Sequence, residues 1–202
     1  MIERANEMAK AVPYLHLSET ECRFKFQGAL GELAGAQFLN AELVSNSSFN
    51  CDLLYRGKKI DVKTLTTLVV PNYTYDGCVP AKNSHQETDY YLFVRLLYRN
   101  QEPRTAYLMA YMRREGFYAK ASFVRAGSSS QRLSAKYDMY ALEYRRMLDP
   151  KRMLRDDWPA RDSMQLMLAE ARSTARALVD PTPSTDRDNA IKTVESWTYA
   201  NK

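Results

Sequence analysis

Apolar residues alternate with polar ones between positions 52 and 63. Leu53, Tyr55, Ile60 and Val62 form one set; Asp52, Asp61 and Lys63 form the other. A period of two belongs to a strand with one buried face. Gly57 interrupts the run, so it reads as two short strands around an even-length turn. A type II′ turn at Gly57-Lys58 puts glycine at the first central position and is the expected one. It sets Asp52 opposite Lys63, with Asp61 as diagonal neighbour. A turn at Arg56-Gly57 would set Asp52 opposite Asp61 instead. Either way Asp52, Asp61 and Lys63 share one face and the four apolar residues share the other.

Elsewhere the pattern is coarser. Residues 88–98 (TDYYLFVRLLY) are an almost unbroken apolar run, which predicts a buried central strand. Asn100 to Pro103 is a turn, and 105–112 is the paired strand. Ser18-Glu19-Thr20-Glu21 has the form of a capping box, so a helix should run from there to about Leu39. Phe26, Leu30, Leu33 and Gln37 mark its stripe, with Phe38 beside it. Gly28, Gly31, Gly35 and Ala36 surround Glu32 on this helix. Each helical glycine costs about 1 kcal/mol relative to alanine. Close packing on a neighbouring element offsets that cost, and small residues also leave open space around Glu32.

Met8 to Leu17 read as a short strand or an irregular lead-in, 42–44 as a brief strand, 45–50 as a polar loop and 67–87 as an irregular excursion. Arg113 to Tyr118 starts a short helix, and Gly127 to Ser130 is a break. A helix is expected over 137–147. Another should run from the Asp157-Trp158-Pro159 cap to about Leu178, with Met164, Met167, Leu168, Ala171, Ala175 and Leu178 as its stripe. The expected organisation is one domain over 1–180, with a core at about 18–127 and a helical region at 131–180, followed by a polar tail over 181–202.

Composition narrows the setting. The chain has 202 residues and a net charge of +5, a weak push toward a polyanionic partner. Its three cysteines (Cys22, Cys51 and Cys78) fit neither a disulfide framework nor a zinc site, which points to a reducing, cytoplasmic setting, the host cytoplasm for a phage-encoded chain. The polar N-terminal residues do not form a signal peptide, and no run is long enough to cross a membrane.

The hairpin charges carry the chemistry. Two carboxylates on neighbouring strands make an oxygen pocket for a hard divalent cation such as magnesium. Without a cation they repel, and one takes up a proton. Glu32, on a helix laid over the same face, would add a third carboxylate. Lys63 points the same way as Asp61 and can orient or deprotonate an attacking water, or stabilise charge developing at phosphorus. Carboxylates, magnesium and a lysine are the equipment for phosphodiester hydrolysis. The plainer reading of the same charges is an exposed cross-strand ion pair worth about 0.2–1 kcal/mol. His16 and His85 lie in loops and are given no role. Gln131, Arg132 and Lys136 read as solvated surface.

Glu32 in a first helix, Cys51-Asp52, a short turn and Asp61-Val62-Lys63 on the next strand together resemble the PD-(D/E)xK nuclease superfamily, over about residues 20–125. The resemblance implies an α/β (α+β mixed) fold with a restriction-endonuclease-like core. That is a mixed central sheet flanked by helices, here with an added helical C-terminal region. It implies a magnesium-dependent nuclease acting on DNA, with manganese able to substitute and RNA as the alternative substrate. Asp52, Asp61 and the Val62 carbonyl would then hold the metal. Glu32 would bind a second metal or its water, and Lys63 would act on the attacking water. Cys51 stands where the family usually has proline, and Asp61 where glutamate is commoner. A homodimer pairing two sites is a further expectation. The competing expectation is the same fold without chemistry, as a nucleic-acid-binding or protein-interaction module.

Overall fold

The computed structural model describes residues 1–10, 19–44, 51–128, 135–160 and 162. The chain divides into two units, Met1–Leu154 and Arg155–Lys202. The first holds helices α1 (Ile2–Lys10), α2 (Glu19–Leu39) and α3 (Arg114–Lys120). Its strands are β1 (Glu42–Leu43), β2 (Leu53–Tyr55), β3 (Lys58–Thr67), β4 (Asp76–Pro80), β5 (Tyr90–Arg99), β6 (Glu102–Arg113), β7 (Ser122–Val124) and β8 (Met139–Glu143). Five strands form one sheet in the order β1-β2-β3-β5-β6, and three form a second in the order β4-β8-β7. The larger sheet is mixed, because β3 pairs parallel with β5 while the other pairs are antiparallel. The fold is therefore mixed α/β.

β5 is buried along almost its whole length because both faces of the sheet are covered. α2 covers one face. A methyl group on Gly35 would come within 3.0 Å of Leu92 and 3.2 Å of Leu53, and one on Gly31 within 1.9 Å of the Thr64 hydroxyl. The glycines thus let the helix backbone lie against the sheet. The buried stripe is accordingly the small-residue one, with Ala29, Leu30, Leu33, Ala34, Ala36 and Leu39. Gln37, expected on the stripe, is exposed. Ser18, the expected cap, lies outside the described residues.

The other face of the sheet packs an aromatic cluster, in which Tyr91 and Phe93 of β5 meet Phe117 of α3, Val79 of β4, Leu142 of β8 and Tyr144. Arg95 ties the two sheets together. Its Nε donates to the Tyr144 hydroxyl (3.0 Å), and its Nη2 donates to the Asp76 carbonyl (2.9 Å).

Three expectations are corrected. Ile2–Lys10 is a helix, with Ala5 completely buried, so residues 8–10 of the expected strand or lead-in are helical, while 11–17 lie outside the described residues. The excursion over 67–87 contains β4, where Gly77 makes room for Phe93 and Met147. Residues 137–147 are not helical. Met139–Glu143 is the central strand of the small sheet, and Tyr144–Arg146 is a 3-10 turn. Met, Ala, Leu and Glu are good helix formers, but pairing with two neighbours overrides propensity here. In the second unit Trp158 Nε1 donates to Asp162 (3.0 Å), and the Met-rich stripe lies outside the described residues.

Candidate active site

The hairpin closes on Arg56-Gly57. Tyr55 pairs with Lys58, and the two central residues have φ of 48° and 71°, the type I′ form. The expected Gly57-Lys58 turn is corrected. Right-handed strand twist matches a turn with positive φ at both central positions, and arginine accepts that strain beside a glycine. Leu53 lies opposite Ile60, where the pairing ends, and the Asp52 N–H also donates to the Ile60 carbonyl (2.9 Å).

Val62 and Leu53 face α2 through Gly35, and Thr64 faces it through Gly31. The strand period then turns Asp61 and Lys63 to the opposite face. There β5 lays Tyr91 and Phe93 beside them. This corrects the expectation that the helix lies over the carboxylate face. The groups meet instead at an edge. β2 begins at Leu53, so among the described residues no strand pairs with β3 on that side beyond Ile60. Asp52 fills the first place in the gap, its Oδ2 accepting the Val62 N–H at 2.6 Å. Glu32 follows Gly31, which touches Thr64, so it stands near the same stretch of β3.

The electrostatics show that the three carboxylates feel one another. Burial pushes Glu32 up from 4.5 to about 7; the charge of Asp61 adds to this and that of Lys63 opposes it. Burial also holds Asp52 well above the usual carboxylate range. Asp61 and Glu32 reinforce that rise, while the Val62 N–H and Lys63 oppose it. Asp61 is 3% exposed, and its Oδ2 lies 2.5 Å from Lys63 Nζ. That contact is an ion pair without an aligned hydrogen bond, since the same oxygen accepts none.

An all-oxygen donor set suits magnesium, and a buried carboxylate oxygen without a hydrogen-bond donor suits a cation. Among the described residues, however, no three carboxylate, imidazole or thiolate groups converge as a closed metal cage. Magnesium ordinarily keeps several waters, so an incomplete protein shell still fits it. Asp52, Asp61 and the Val62 carbonyl are the groups that would hold such an ion, with Glu32 acting through water.

Sequence reasoning missed Gln86. Its Oε1 accepts a hydrogen bond from Lys63 Nζ at 3.2 Å, and the Tyr91 ring centre lies 5.8 Å from the same ammonium. Gln86 lies outside every strand and helix, so no hydrophobic period marks it. It lines an open cleft with His85, Lys59 and Arg114. Lys136 is occupied elsewhere, with its ammonium over the Phe24 ring. His16, Gln131 and Arg132 lie outside the described residues.

Among the described residues, no helix is long and apolar enough to cross a membrane. Neither a family model nor a curated protein sequence matches this chain.

Proposed function

We propose that this chain is a magnesium-dependent nuclease of the PD-(D/E)xK type, hydrolysing phosphodiester bonds in DNA on a restriction-endonuclease-like core. One observation carries the reading. Asp52 accepts the Val62 N–H at the open edge of β3, its carboxyl is pushed up by the charge of nearby Asp61, and the Lys63 ammonium lies 2.5 Å from Asp61. The element order supports it too, with a helix first, an antiparallel hairpin next and a parallel β3–β5 pair after it. A bound ion would supply Lewis-acid stabilisation of the phosphoryl oxygens and an acidified water. Asp52 and Asp61 are placed to hold it. Lys63 orients the attacking water and stabilises charge growing on the phosphorus oxygens. The attacking water gives up a proton to solvent as its oxygen forms the new P–O bond, one ester P–O bond breaks, and the leaving oxygen takes a proton from solvent. The net charge of +5 favours a polyanion, and the free thiols Cys51 and Cys78 fit a reducing cytoplasm.

The absence of a closed metal cage among the described residues favours a second reading, a nucleic-acid-binding module on this fold that performs no chemistry. A cleavage panel separates the two. Linear, nicked, branched and single-stranded DNA, and RNA, are incubated with magnesium, with manganese and with chelator. Metal-dependent cleavage of any DNA supports the nuclease. Binding without cleavage under both metals refutes it and leaves the module.

A further inference from the structure

A lysine ammonium is a compact charge on a flexible stem with three protons to place. Beside a buried carboxylate it settles onto that anion, and Lys63 Nζ does lie against Asp61. Gln86 Oε1, 3.2 Å away, accepts a hydrogen bond from the same ammonium.

The backbone that presents Gln86 is irregular yet heavily pinned. Gln86 N–H donates to the Asn83 carbonyl (3.1 Å), and Arg114 Nη2 donates to the Ser84 carbonyl (2.5 Å). The Thr88 hydroxyl contacts the carbonyls of Lys59 and Tyr90, each at 3.0 Å. Asp89 Oδ2 accepts the Lys59 N–H (2.8 Å), while its carbonyl accepts the Arg114 N–H (3.0 Å). Together these bonds fix a short non-repetitive segment between β3, β5 and the start of α3. They hold one amide oxygen at one place in front of Lys63. The Tyr91 ring closes another side of the ammonium, its own hydroxyl engaged with Tyr118 at 3.0 Å.

We propose that Gln86 is a positioning residue for phosphodiester hydrolysis: its Oε1 takes one N–H of the Lys63 ammonium that Asp61 holds by charge, and so aims the remaining N–H groups at the attacking water and the scissile phosphate. The inference rests on the nuclease reading of the site above. The contact that carries the effect of Gln86 is the one to Lys63. Its effect passes through Lys63, so it acts on the chemical step and not on DNA affinity.

The test is steady-state cleavage of the best DNA substrate by wild type, Gln86→Met, Gln86→Ala and Gln86→Glu, with thermal melts of each. Methionine keeps length without a strong acceptor, and glutamate keeps the acceptor oxygen. Gln86→Met and Gln86→Ala should lower kcat about tenfold or more, since small displacements of a catalytic group carry effects of that size. KM and the melting midpoint should stay unchanged, and Gln86→Glu should restore most of the wild-type kcat. Two acceptor-lacking variants keep the test alive if one fails to fold. A wild type that cleaves beside a Gln86→Met that matches it overturns this inference alone. So does a change confined to KM, or a kcat loss that Gln86→Glu leaves uncorrected. A wild type that cleaves nothing overturns the nuclease reading and this inference with it.

Discussion

Replacing Glu32 by glutamine should stabilise the metal-free protein, and only above mildly acid pH. Burial and Asp61 raise Glu32 from 4.5 to about 7 in the folded chain. Below 4.5 the group is protonated both folded and unfolded, and it contributes no penalty. Above about 7 it is ionised in both states, and the folded state carries the whole penalty of a buried charge beside Asp61. Stability is therefore lost as pH rises through that window. At about 1.4 kcal/mol per pH unit, the rise amounts to about 3 kcal/mol. Glutamine keeps the shape without the charge. It also removes one of the charges that lift Asp52, an effect of the same sign. The assay is urea unfolding of wild type and Glu32→Gln in chelator at pH 4, 6 and 8. The two should match at pH 4, and the variant should be more stable by up to about 3 kcal/mol at pH 8. Magnesium at pH 8 should narrow the gap, because it binds the folded wild type more tightly. Equal stabilities at every pH, or a variant weaker at pH 8, would refute the claim that Glu32 is half-buried and feels Asp61.

Two further predictions concern packing. Gly31→Ala gains about 1 kcal/mol of helix propensity but drives a methyl group to 1.9 Å from the Thr64 hydroxyl, an overpacking worth about 1–3 kcal/mol. Net destabilisation by thermal melt is expected, with partial recovery in Gly31→Ala/Thr64→Ala. A more stable Gly31→Ala would show that α2 does not lie against β3. Tyr144→Phe removes the acceptor for Arg95 Nε in the buried junction between the sheets and should cost about 1–3 kcal/mol in urea unfolding at unchanged m-value. No loss would mean that Arg95 finds another acceptor.

The parts legible in the sequence are those where one local rule dominates. Alternation around Gly57 put Asp61 and Lys63 on one face because strand period leaves no other outcome once the loop length is even. The apolar run at 90–97 could only be covered on both sides, and it is. The turn type was less determined, since Gly57 satisfies a positive φ at either central position; the pairing of Tyr55 with Lys58 decided between them. β8 was unreadable because its residues favour a helix locally, and its strand state comes from β4 and β7, which are distant in sequence. Glu32 was found, but its approach was not. A helix seated by Gly31 and Gly35 must take the face of Leu53 and Val62, and from there its carboxylate still feels the charges of Asp61 and Lys63. Gln86 carried no sequence signal, because its place depends on Lys59, Asp89 and Arg114 pinning an irregular segment.

The central claim is that Lys63, held between Asp61 and Gln86, acts in metal-dependent hydrolysis of DNA. Single-turnover cleavage by wild type and Lys63→Ala, each with magnesium and with chelator, tests it most directly. Wild type should cut only with magnesium, and Lys63→Ala, still folded at the assay temperature, should cut at least about 100-fold more slowly. Equal rates for the two proteins, or wild-type cleavage that persists in chelator, would contradict it.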